Sequence, residues 1–121
     1  MNENVSEVNE DILARMKETV GVSYDPDTGT AEFIGASNDT EQYISLVEYL
    51  VKHEYITKDD LPISAKRAQT RYLINSSASH ENRNMVRPNK IGDDVYLETN
   101  HDTLSKKRYA SKFIEDFVLN G

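Results

Sequence analysis

Downstream of Ser64 the polar residues fall in an order suited to gripping a nucleic acid. Arg67 and Arg71 lead into an aliphatic and aromatic run. Arg83, Arg87 and Lys90 lie within and just after a polar segment, and Asn100 is followed by Lys106 and Lys107. Arginine and lysine hold phosphates by charge. Arginine can also pair two-pronged with guanine, and asparagine is one of two side chains able to do so with adenine. Thr99-Asn100-His101-Asp102-Thr103 reads as a strand running into a helix, a junction that exposes free backbone N–H groups at the positive end of the helix dipole. Polar loops of any domain contain Asn and Arg, and a helix cap explains Asp102 or Thr103 equally well. The expected nucleic-acid-binding set is Arg67, Arg71, Arg83, Arg87, Lys90, Asn100, Lys106 and Lys107.

Other chemistry finds less support. His80, Glu81, Glu98, His101 and Asp102 could assemble a general base or a hydrolytic metal site. None stands in a diagnostic spacing: there is no His-Glu-x-x-His, no Gly-rich phosphate loop and no Gly-x-Ser-x-Gly. No catalytic residue is therefore assigned, and the chain is expected not to be an enzyme. Asp25, Asp27 and Gly29 have the start of a calcium loop but lack its terminal bidentate carboxylate, so neither metal nor cofactor is expected. His53 ends a helix, where the last carbonyls account for it. The absence of cysteine excludes a disulfide framework, a thiolate metal site and a cysteine nucleophile.

The elements that must position these residues follow from periodicity. Val5, Val8, Ile12, Met16 and Val20 predict an amphipathic helix over about Val5 to Thr19, ended by Gly21. Asp25-Pro26-Asp27-Thr28-Gly29 predicts a tight turn between two alternating runs, hence a hairpin. Asn38-Asp39-Thr40 caps a second helix with Tyr43, Leu46, Val47, Leu50 and Val51 on one face, and a short turn from Thr57 stops at Pro62. A polar segment, Ile63 to Gln69, precedes a strand at Thr70 to Asn75; Ser76 to Asn84 reads as a loop. Pro88 is expected to break regular structure, Val95 to Thr99 to form another strand, and Leu104, Ala110, Phe113, Ile114, Phe117 and Val118 to line a last helix. The helices should pack on a sheet holding Tyr72-Leu73-Ile74 and Val95-Tyr96-Leu97. Strict alternation would stop Leu73 from sharing a core with Tyr72 and Ile74. The expected fold class is α+β: one small domain of short antiparallel strands and hairpins packed with three main helices.

With 121 residues the chain suits a single domain, 1–121, and its 37% hydrophobic content suffices for one core. No apolar run approaches the roughly 18 residues that cross a bilayer, and the acidic start resembles no signal peptide, so a cytoplasmic location is expected. The net charge of −7 hides an asymmetry. Residues 1–64, the acidic helix-hairpin-helix half, carry 14 Asp and Glu against 4 Lys and Arg; residues 65–121, the basic strand-loop-strand-helix half, carry 7 against 10. An approaching phosphate feels the local field within a Debye length of about 8–10 Å, so a basic half can serve an anionic partner despite a negative total.

From about Gln69 to Phe113 the order of residues resembles the C-terminal DNA-binding domain of SeqA, the negative modulator of replication initiation. Thr70-Arg71-Tyr72 is similar to that family's arginine-bearing entry into a strand. Arg87-Pro88-Asn89-Lys90-Ile91-Gly92 resembles its Lys-Pro segment and Pro-Gly turn. Val95 to Thr103 resembles its aromatic strand running into a Thr-Asn-Thr-Asn-Thr loop, and Lys106 falls at its basic helix start. The resemblance implies a related fold and DNA contact through Arg71, Asn100 and Lys106. Asp102 departs from the family's second loop asparagine, the family's tryptophan is absent, and nothing resembles its oligomerisation segment, so methylation-specific recognition is not implied.

Two functions are thus expected to compete. One is a DNA-binding regulatory or accessory module working through the basic half. The other is a protein-interaction or inhibitor module, of the kind mobile elements or phages encode, docking its acidic half on a basic protein partner. Either could act as a homodimer, which exposed Phe113 and Phe117 would mark.

Overall fold

The turn Asp25 to Gly29 closes as its composition demands: Asp27 N–H donates to Asp25 Oδ1 at 2.9 Å, and Gly29 takes φ of 67°. The computed structural model describes residues 3–35, 38–65 and 68–120, with the side chains of 9–35, 38–64 and 71–120. In chain order the elements are α1 (Glu3–Val20), β1 (Val22–Asp25), β2 (Thr30–Phe33), α2 (Asp39–Lys52), β3 (Ile63–Ala65), β4 (Ala68–Asn75), β5 (Pro88–Gly92), β6 (Val95–Glu98) and α3 (Thr103–Phe113). A 3-10 turn spans Lys58–Asp60 and a π-helical turn, Ile114–Leu119, prolongs α3. The fold is α+β, with three helices among the described residues.

Strands β1 and β2 form an antiparallel hairpin, and the other four form an antiparallel sheet in the order β3-β4-β6-β5. Helix α2 contacts both β5 and α3, α3 also contacts β2, and α1 contacts β1. Tyr43, Leu46, Val47 and Leu50 of α2 are fully buried and share one apolar cluster with Met16, Val22, Leu73, Ile74, Leu97, Phe113 and Ile114. Tyr43 stacks on Phe113 with ring centres 6.2 Å apart. The acidic and basic halves therefore share a single core, and burial of Phe113 gives no apolar dimer surface at that position.

Polar ties fix the hairpin as well. The Ala31 N–H donates to Ser111 Oγ at 2.8 Å, and that hydroxyl donates onward to the Lys107 carbonyl at 2.7 Å. After β2 the chain closes on Gly21, whose carbonyl accepts from Ile34 and Gly35. Gly21 has φ of 71°, and a Cβ there would lie 2.8 Å from Gly35 Cα, so both backbone conformation and close approach require glycine.

Three expectations are corrected. Pro88 does not break regular structure but opens β5, at the edge of the sheet, where a first-position proline costs no ladder bond. The stretch after Pro62 is not merely polar linker, since it includes β3. Ile63 pairs with Ile74 and Ser64 with Tyr72, so Leu73 is the extra residue of a β-bulge. Alternation fails at that bulge, and Leu73 and Ile74 are both buried. No helix among the described residues is long and apolar enough to cross a membrane.

Candidate nucleic-acid interface

Antiparallel pairing brings residues distant in sequence to one end of the larger sheet. Ile74 lies opposite Leu97 and Asn75 opposite Tyr96, so Arg71, before Ile74 in β4, and Asn100, just after β6, lie toward the same end of the sheet. On the other flank of β6, Pro88 faces Glu98, which brings Arg87 level with Thr99. The Thr99 N–H and Oγ1 both donate to the Arg87 carbonyl, at 3.0 and 2.9 Å. Arg71, Arg87 and Asn100 are exposed at this end. The positive field of Arg71 also reaches His101 next door.

Behind these side chains sits a buried carboxylate. Glu98 is 3% exposed. Its Oε1 accepts from the N–H of Arg87 at 2.7 Å and of Asn100 at 3.2 Å; its Oε2 accepts from Val86 N–H at 2.7 Å. His80 completes the shell. Its Nδ1 accepts from Tyr72 N–H at 2.9 Å, an assignment that puts the ring proton on Nε2, 3.2 Å from Glu98 Oε2. Burial alone would raise the Glu98 pKa, but the N–H donors of Arg87, Val86 and Asn100 and the imidazole together hold it below the ordinary value. The carboxylate stays ionised within the fold, its charge taken up by N–H groups.

The junction into α3 is capped by Asp102, whose Oδ1 accepts from Ser105 N–H at 2.7 Å; that bond lowers the Asp102 pKa. His101 packs edge-on against Tyr109, ring centres 4.9 Å apart. Its buried Nε2 and the buried Tyr43 hydroxyl have no hydrogen-bond partner among the described residues. Burial, with Lys106 and Arg71 in support, lowers the His101 pKa; Glu98 and Asp102 oppose the shift.

The expected binding residues part company here. Arg71, Arg87 and Asn100 are all exposed toward this end of the sheet, while Arg83 is exposed on the loop, where its carbonyl accepts from His80 N–H at 2.6 Å. Lys90 is exposed opposite Tyr96, further along β5. Arg67 lies outside the described residues. Lys107 turns toward the hairpin and pairs with Glu32 at 2.9 Å.

Lys106 is the clearest correction. It is 6% exposed, and its ammonium donates to Thr40 Oγ1 at 2.7 Å and lies 3.5 Å from Asp39 Oδ2. Thr103 Oγ1 donates to the same Asp39 oxygen at 2.6 Å, a bond that together with Lys106 lowers the Asp39 pKa against the effect of burial. Lys106 thus faces inward and clamps the first turn of α3 to that of α2. Sequence reasoning weighed Glu98 and His80 only as catalytic groups and missed their shared structural role. The available signal was a lone acid in the strand Val95-Tyr96-Leu97-Glu98. No family model, curated protein or solved structure matches the chain.

Proposed function

We propose that the chain is a DNA-binding regulatory or accessory module that meets duplex DNA at the sheet end bearing Arg71, Arg87 and Asn100. The supporting observation is that these three exposed residues lie toward one end of the sheet, in β4, just before β5 and just after β6. Two arginines can engage phosphates or guanine while an asparagine between them reads adenine, so positioning and readout would share one surface. Arg71 and Asn100 are also two of the positions on which the resemblance to the SeqA domain rests. Lys106, the third, is left out because its ammonium is committed to Thr40 and Asp39.

Fluorescence anisotropy with mixed-sequence duplex DNA across about 50–200 mM salt tests this reading, because each neutralised phosphate contributes a slope of about −0.9 in log K against log salt. Arg71→Ala and Arg87→Ala should each lower that slope by about one. Lys106→Ala, once folded, should leave it unchanged. Wild-type protein with no salt-dependent binding would remove the proposal.

A second reading has its own observation. Lys106 and Lys107 turn toward Asp39 and Glu32, which takes two cations off the basic half's outer surface. That favours the acidic half as the working surface for a basic protein partner, and binding to a model basic protein but not to DNA would select it.

A further inference from the structure

We infer that Glu98 is the positioning residue of this interface: its carboxylate, steadied by His80, sets the spacing between Arg87 and Asn100. This deepens the DNA reading and rests on it. A carboxylate facing a phosphate would repel it, so an acid beside a DNA surface calls for explanation. Here the charge is turned away from solvent and surrounded by three backbone N–H donors and an imidazole N–H. Arg87 and Asn100 stand on different strands, yet their backbone nitrogens share one oxygen, Oε1. Val86 and His80 share the other, so the loop leading to Arg87 is fixed to the same carboxylate. His80 is fixed in turn by Tyr72 N–H, one residue from Arg71. The backbone at Arg87 and Asn100, and next to Arg71, is thereby referred to one buried anion.

Loops otherwise vary in position more than the strands that flank them, and a readout pair must be held to within a fraction of an ångström. Backbone N–H groups cannot be moved without breaking charge-assisted bonds to Glu98, which are stronger than neutral ones. The same carboxylate on a solvent-facing side chain would give no such control. What reaches solvent is the guanidinium of Arg87 and the amide of Asn100; what holds them apart at a set distance is Glu98.

The test is a double-mutant cycle on the full chain, read by anisotropy with mixed-sequence duplex DNA and by circular dichroism. Glu98→Gln turns one acceptor oxygen into an NH2 that faces existing donors. It should weaken binding about tenfold and lower the salt slope by about one. Arg87→Ala should then cost less in the Glu98→Gln background than in wild type, a coupling that a merely structural role would not produce. Lys106→Ala, which loosens the fold elsewhere, should leave affinity unchanged and separates lost stability from lost positioning. If Glu98→Gln does not fold, His80→Asn keeps an acceptor for Tyr72 N–H while removing the donor to Glu98, and should show the same coupling at smaller size. A folded Glu98→Gln with wild-type affinity and slope, or losses that simply add, would overturn the inference while leaving the DNA reading intact. So would a His80→Asn protein that binds as wild type where Glu98→Gln does not fold. Wild-type protein that fails to bind DNA would overturn both.

Discussion

Glu98 at the sheet end and Lys106 at the α2–α3 junction are both charged and nearly fully buried, and the fold satisfies them by opposite means. The anion is met by backbone N–H groups from a loop and a strand end, with one imidazole added. The cation is met by side chains, the Thr40 hydroxyl and the Asp39 carboxylate of a neighbouring helix. A charge held by backbone fixes the path of the chain and whatever that path displays. A charge held by side chains joins two elements that are already formed. Hence the buried acid bears on the surface that could meet a ligand, and the buried base bears on packing.

The comparison breaks most visibly under truncation. Glu98→Ala would leave three backbone N–H groups and His80 without their acceptor, and should cost about 3–5 kcal/mol by urea unfolding. Lys106→Met keeps the stem but leaves the Asp39–Thr103 bond and Thr40 to themselves, and should cost about 1.5–3 kcal/mol. A larger loss from Lys106→Met than from Glu98→Ala would invert the ranking.

Acid sharpens the contrast by a different route. The folded pKa of Glu98 is depressed, so its contribution is complete above the ordinary glutamate value of about 4.3 and is lost as pH falls through the lower folded value. His101 is depressed too, but for a base the consequence begins higher. Below about pH 6.5 the unfolded chain takes up a proton that the native ring resists, so stability declines until the folded value is reached. Urea midpoints should therefore fall in two stages on acidification, and His101→Asn should flatten the upper one. An unchanged slope between about pH 7 and 5 in that variant would assign the decline to another group.

The smallest effect has the opposite sign. The Tyr43 hydroxyl is buried with no partner among the described residues, and its pKa is driven well up by burial, with Tyr109 and Glu98 adding to the shift. Tyr43→Phe removes that hydroxyl while keeping the stack on Phe113, and should stabilise by up to about 1 kcal/mol. A loss of stability in thermal melts would point to a hydrogen bond made by that oxygen.

What could be read from the sequence was local. Helix α2 was legible because its apolar period and its cap agree; Asn38 Oδ1 accepts from Glu41 N–H at 2.8 Å as its position implied. The first hairpin was legible because its turn chemistry is contained in five residues. Strands β3 and β5 were not, since three and five residues with a proline and a lysine carry no period, and their pairing comes from partners elsewhere. Asn100 and Arg71 were singled out only as residue types, by what their side chains can pair with. Lys106 was misplaced because nothing near it in sequence says that Thr40, 66 positions away, would receive its ammonium. Glu98 escaped notice as an anchor because its main donors are backbone N–H groups, which every residue but proline offers and no composition reveals.

The bond from Ala31 N–H to Ser111 Oγ joins residues 80 positions apart, and Tyr43 waits nearly as long for Phe113. A ribosome adds about 5–20 residues each second, so the first hairpin and α2 spend several seconds without the surface that completes them. The order of synthesis thus leaves an acidic, half-covered intermediate until the final helix emerges. Its negative charge would keep such nascent chains apart by mutual repulsion. A chain truncated after Lys107 should accordingly stay dispersed yet lack a cooperative thermal transition, and a sharp melt would show that the rest of the chain folds without a complete α3.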